Sequence, residues 1–172
     1  PDARDAQGRS PLHLAVVHEG GAAQPLLQAL IAAGADPEIA TAVGETPLGL
    51  ALANDTARAR WLDWTGWRLP RRRLQQADLV AAAAAGDLDA VARLIELGLP
   101  LDATDVQGAT ALIRAAGSGH AALVVHLLEA GADTRCVSRS GMHCLAAAVA
   151  ARREAVVRTL LSHGVAVDMP IS

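Results

Sequence analysis

The sequence predicts an all-α array of helix-turn-helix repeats, and three observations carry that expectation. Glycines recur at a fixed step: Gly108 and Gly141 open two matching segments 33 residues apart, and Gly98, Gly131 and Gly164 close three segments at the same interval. Between them the apolar residues fall at helical spacing, as in Leu123, Val124, Leu127 and Leu128. The third observation is composition. Of 172 residues 52% are apolar, yet Phe and Tyr are absent and Trp occurs three times. A core built from Leu, Ile, Val and Ala favours close helix-on-helix packing over a sheet sandwich.

Five repeats follow in order, over about residues 2–37, 38–69, 70–103, 104–136 and 137–169, in one domain spanning residues 1–172. The first opens with "DAQGRSPLHLAVV", where Ser10 is a capping hydroxyl and Pro11 fits the first helical turn. It carries about three extra residues at "HEGGAAQP", between its helices. The second opens with "AVGETPLGLAL" and repeats the signal at Thr46 and Pro47. The third lacks the glycine turn, but "DLVAAAAAGDLDAVARLIELG" keeps both helices. Its Leu79, Ala82 and Gly86 stand 33 residues before Leu112, Ala115 and Gly119. In the fourth, the first helix starts at Thr110 and the second stops at Gly131, as a C-terminal glycine should. The fifth matches the fourth from Ser138 to Asp168, with His143 in place of the capping hydroxyl. Neither helix of a pair is long enough to stand alone, which is the logic of a solenoid. Gly34, Gly66 and Gly98 are separated by two steps of 32, so the repeats are expected to keep phase through the irregular middle.

These segments resemble the ankyrin repeat family. Its opening D-x-x-G-x-T-P-L-H-x-A is matched by Asp5, Gly8, Ser10, Pro11, Leu12, His13 and Ala15. The match recurs at Gly44, Thr46, Pro47, Leu48 and Ala51, and more loosely at Asp105, Gly108, Thr110, Leu112 and Ala115. The closing L-L-x-x-G-A-D stands at Leu127, Leu128, Gly131, Ala132 and Asp133. The resemblance implies an ankyrin-repeat solenoid with short hairpin-like loop tips, acting in protein–protein recognition without catalysis. It also implies where another protein docks: on tip residues around each opening glycine and on exposed positions late in each first helix. Carried to this chain, the tips offer Arg9, Glu45, Gln76, Gln107, Arg139 and Met142, with Val106, Ala109 and Ser140 beside them. The first helices offer His18, Asn54 and Ser118, with Val17 and Ala151 beside them. His13 is expected to tie down its turn.

Charge marks one further place. Residues 58–73 hold six of the fifteen arginines and a single acid, Asp63, while the segments on either side are net acidic. Arg71, Arg72 and Arg73 stand where the third loop tip should form. Arg and Trp are enriched among binding hot spots, which makes this run, with Trp67, a candidate anchor. The competing reading is a solvated loop whose tryptophans fill a gap in the core. Trp61 and Trp64 have helical spacing and are expected in a shortened second helix, replacing lost Leu–Leu packing. Trp67 is expected to be partly exposed.

Several function classes find no support in the sequence. No histidine pair has metalloprotease spacing, no Cys-His cluster has zinc spacing, and no nucleophile elbow occurs. All basic residues are Arg, so no phosphate-binding loop with its Lys exists. No catalytic residue, cofactor, metal or small-molecule substrate is therefore expected. A net charge of −3 argues for neither a membrane nor nucleic acid. The short arginine run alone predicts only weak, salt-sensitive nucleic-acid binding. Cys136 and Cys144 form no paired-thiol motif and read as buried free thiols, which suits a reducing, cytoplasmic setting. Arg without Lys, among abundant Ala and Leu, points to a GC-rich bacterial genome. The start at Pro1 and the closing "VAVDMPIS", which reads like a further repeat beginning, predict more chain or another domain at one or both ends. An alternative role follows: a regulatory or scaffolding segment of a larger enzyme or secreted bacterial effector.

Overall fold

The computed structural model describes residues 1–18, 23–54 and 56–167. Among these residues there are ten short helices, no strand, and one isolated antiparallel bridge between Thr104 and Thr110. The chain divides into two compact units, Pro1–Leu74 and Gln75–Ser172.

The first unit holds two helix pairs, α1 (Pro11–Val17) with α2 (Ala23–Ala32) and α3 (Pro47–Asn54) with α4 (Thr56–Leu62). Helix α1 packs on α2 and α3, and α2 packs on α4, around Leu12, Val16, Leu27, Ile31 and Leu62. The second unit holds three pairs: α5 (Gln76–Ala85) with α6 (Leu88–Glu96), α7 (Ala111–Ser118) with α8 (Ala121–Glu129), and α9 (Cys144–Ala150) with α10 (Glu154–Ser162). Its first helices α5, α7 and α9 stack in one row, and α6, α8 and α10 form the row behind. Leu79, Leu94, Leu112, Leu123, Leu127 and Leu160 fill the space between the rows. Every first helix has at least one alanine that is at most 1% exposed, among them Ala15, Ala51, Ala82, Ala115 and Ala148.

The predicted start signals are used as the sequence implies. Thr46 Oγ1 accepts the Gly49 N–H at 3.0 Å, and Thr110 Oγ1 accepts the Ile113 N–H at 3.3 Å. His143 replaces the hydroxyl with a ring nitrogen, its Nδ1 accepting the Ala146 N–H at 3.3 Å. His13 ties its turn down at both ends. Its Nδ1 lies 3.0 Å from the Ser10 N–H that donates to it, and its Nε2–H donates to the Glu45 carbonyl at 3.1 Å.

Four loop tips share one closure. In residues 5–9, 41–45, 105–109 and 138–142 the first residue's N–H donates to the carbonyl of the fifth. The first side chain returns the bond: Asp5, Thr41, Asp105 and Ser138 each accept the N–H of the fifth residue, at 2.9, 3.2, 3.0 and 3.2 Å. Asp and short hydroxyl side chains suit this position because they bond their own backbone a few residues on.

Two expectations about the middle of the chain need correction. Gly66 does not close a repeat: α4 ends at Leu62, and Gly66 is not among the glycines with positive φ, whereas Gly34 and Gly98 have φ of +86° and +89°. The numerical step of 32 there is a coincidence of spacing. Nor do Arg71, Arg72 and Arg73 form a third loop tip. Gln75 is already the extended N-cap of α5, its N–H held by Asp78 Oδ2 at 2.7 Å, and Gln76 is the first helical residue rather than a tip residue. With no glycine at the turn, the chain runs straight into the helix. The insertion at "HEGGAAQP" falls largely on residues 19–22, and the end of the chain from Asp168 onward carries the expected further repeat; both lie outside the described residues.

Two predictions follow from the turn geometry. At Gly34 a Cβ would overlap the Arg72 main chain, whereas at Gly44, with φ of +84°, nothing lies within 4 Å. Gly44→Ala should therefore lose only the left-handed backbone cost of about 1 kcal/mol, and Gly34→Ala clearly more, as urea unfolding followed by circular dichroism would show. The second concerns acid. Burial alone would raise the Asp105 carboxyl, but the Arg114 guanidinium and the Ala109 and Gln107 N–H groups together hold it below its usual 3.8. A depressed folded value means the stabilisation is present above 3.8 and lost as pH falls through the folded value. The urea midpoint should fall on acidification across about pH 5 to 3, and the fall should be shallower in Asp105→Asn.

Candidate partner-binding surface

In the second unit an open groove of about 840 Å³ lies between two loop tips and two first helices. Val106, Gln107 and Ala109 line it from one tip and Ser138, Arg139, Ser140 and Met142 from the next. Helix α7 contributes Ile113, Arg114, Gly117 and Ser118, and α9 contributes the small side chains of Ala147 and Ala150. The two tips are joined directly, the Arg139 N–H donating to the Gln107 carbonyl at 2.9 Å. Asp105 fixes the wall: its Oδ2 accepts Arg114 Nε at 2.8 Å, and the same guanidinium reaches Gln107 Oε1.

The groove brings together eight residues expected from the sequence: Val106, Gln107, Ala109, Ser118, Arg139, Ser140, Met142 and Ala151. Arg114 was missed, because its place in the wall depends on a tip folding back across nine residues to Asp105. The other expected positions in the second unit reduce to Gln76, exposed on the first turn of α5.

In the first unit, Arg9, His18, Glu45 and Asn54 are exposed. Arg9 pairs with Asp5 at 2.8 Å, and the Asn54 amide donates to the Leu50 carbonyl at 2.9 Å. Much of the arginine cluster is engaged within this unit. Arg58 donates to the Val16 carbonyl, Arg60 lies 5.4 Å from the Trp61 ring centroid, and Arg71 pairs with Asp36 at 3.0 Å. Arg72 donates to the Arg73 carbonyl at 3.1 Å, and the Leu74 N–H donates to the Ala32 carbonyl at 2.9 Å. The run is thus laid against the end of α2 by its backbone, with Arg73 exposed beside it. Trp61 and Trp64 are 4% and 8% exposed and fill the core, although Trp64 lies two residues beyond α4. Its indole N–H donates to the Trp61 carbonyl at 2.8 Å, satisfying a helix-end acceptor. Trp67 is half-buried, edge-on to Trp64 at 6.0 Å between centroids.

The remaining reactive groups serve packing. His120 Nε2–H donates to the Ala84 carbonyl at 3.2 Å. Cys144 is buried, and burial pushes its thiol above the usual range; Cys136 is only half-buried rather than buried, and burial with the Asp133 and Asp102 carboxylates raises it too. Neither is primed as a thiolate. Among the described residues no three His, Cys, Asp or Glu side chains are placed to hold a metal ion, and no helix is long and apolar enough to cross a membrane.

A helical-repeat scaffold presenting a groove between loop tips and first helices is the class these features define. A family model described as ankyrin repeats, in three copies, matches residues 79–170, and a single ankyrin repeat model matches residues 7–42. The chain belongs to the ankyrin repeat family. No curated protein gives a significant match.

The packing roles of the tryptophans can be separated by substitution. Trp64→Ala should lower unfolding stability by about 3–5 kcal/mol, as for a core aromatic, and Trp67→Ala by clearly less, as judged by urea denaturation.

Proposed function

We propose that this chain is a protein-recognition module that binds its partner in the groove formed by Gln107, Arg114, Ser118, Arg139 and Met142. Ankyrin repeats generally act as protein–protein interaction modules, which supports reading the groove as the binding surface. The observation that carries the reading is the groove's make-up: an apolar floor with a few polar groups at its edge, at a volume usual for binding sites. The arginine run is a weaker candidate surface, because Arg58, Arg60 and Arg71 already serve contacts within the first unit. Arg72, Arg73 and the half-buried Trp67 remain a secondary contact on this reading, with Arg9, His18, Glu45, Asn54 and Gln76 as peripheral positions.

Chemical cross-linking followed by affinity capture tests the order of importance. Ala150→Trp fills the groove from an exposed position, and a triple change of Arg71, Arg72 and Arg73 to Glu reverses the run. The principal captured protein should be lost with Ala150→Trp and largely retained with the triple variant; the opposite pattern would move the binding site to the arginine run.

A further inference from the structure

We infer that the groove takes an extended protein segment in which an apolar side chain is flanked by acidic residues. This rests on the groove being the binding surface, and deepens it by naming the partner's chemistry. The groove lining contains two arginines and no Asp or Glu. Arg114 is neutralised by Asp105 at 2.6 Å, which leaves the wall without net charge there. Arg139 is different. It is exposed, and its guanidinium has no ion-pair or hydrogen-bond partner among the described residues. A second cation lies near the end of α7, outside the groove's lining. Arg153 Nε–H donates to the carbonyl of Gly117 at 3.2 Å, and no carboxylate pairs with it among the described residues.

The groove therefore offers positive charge at its edge over a floor of Ile113, Met142, Ala147 and Ala150. Small floor residues leave depth for one side chain of leucine or methionine size, and burying it supplies the affinity. The edge charges select what flanks it, since complementary potential sets specificity and association rate more than raw affinity. An extended segment fits better than a helix because its main chain has unpaired groups that the Ser118 hydroxyl, which has no hydrogen-bond partner among the described residues, can meet.

Immobilised short peptides, acetylated and amidated to remove terminal charge, give the test when probed with the intact chain. One set combines Leu or Met with Asp and Glu, a second combines them with Arg and Lys, and a third places Asp and Glu among Ser only. Retention of the first set alone, weakened by added salt, is the expected result. Arg139→Glu should lower affinity for those peptides about fivefold or more and shift preference toward the second set. Arg139→Gln should weaken the preference without reversing it, and both variants are checked for an unchanged unfolding midpoint. Equal retention of basic peptides, no retention of any set, or an unchanged preference in Arg139→Glu overturns the inference. Ala150→Trp separates it from the reading beneath. If peptide binding survives Ala150→Trp, the groove is not the site and both fail. If binding is lost with Ala150→Trp but shows no acidic preference, only the partner chemistry fails.

Discussion

Small side chains in the first helices govern this structure. Ala15, Ala51, Ala82, Ala115 and Ala148 are among those essentially without exposure, at least one in each first helix. A methyl group there lets the backbones approach closely, and a larger side chain would hold them apart. Close approach matters because no helix among the described residues exceeds ten residues, too short to persist alone in water. Helix formation and tertiary packing are therefore one event in each unit. The hydrogen bonds at helix starts and tips do not drive that event; they fix where each helix begins, and so which side chains face the core.

The groove is a by-product of the same constraint. Where α7 and α9 pack closely, the tips that precede them are carried forward side by side and bonded to each other through Arg139 and Gln107. Residues on the outward side of those helices need only be small, and Ala147 and Ala150 are. An open concavity results, with the Arg139 side chain exposed at its edge. In the first unit the arginines have been drawn into the structure instead, holding a carbonyl, an indole face and a carboxylate.

Most of the fold was legible because a repeat states its rules several times. Ser10, Thr46 and Thr110 mark helix starts, and a residue as unlike them as His143 could be recognised as a cap from its register alone. Groove residues such as Gln107, Ser118, Arg139 and Met142 were legible for the same reason, since register identifies which positions face outward. Where the rule is stated once, it failed. Gly66 falls at a repeat-like interval, but whether a glycine closes a helix depends on where that helix ends, and α4 stops early at Leu62. The path of Arg71 to Leu74 is fixed by contacts with Asp36, Gly34 and Ala32, roughly 35 to 42 residues away, which no local pattern encodes. Arg114 escaped notice because its role needs the tip geometry first.

The placement of the tryptophans has a practical consequence. All three lie in Pro1–Leu74, and the chain has no Phe or Tyr, so Gln75–Ser172 contains no aromatic chromophore of its own. Intrinsic fluorescence and near-ultraviolet absorbance report on the first unit alone, while the far-ultraviolet dichroism of the helices reports on both. The chain thus carries a built-in label on one of its two units. Whether they melt as one cooperative body or in succession can be read by comparing the two optical signals on the unmodified protein.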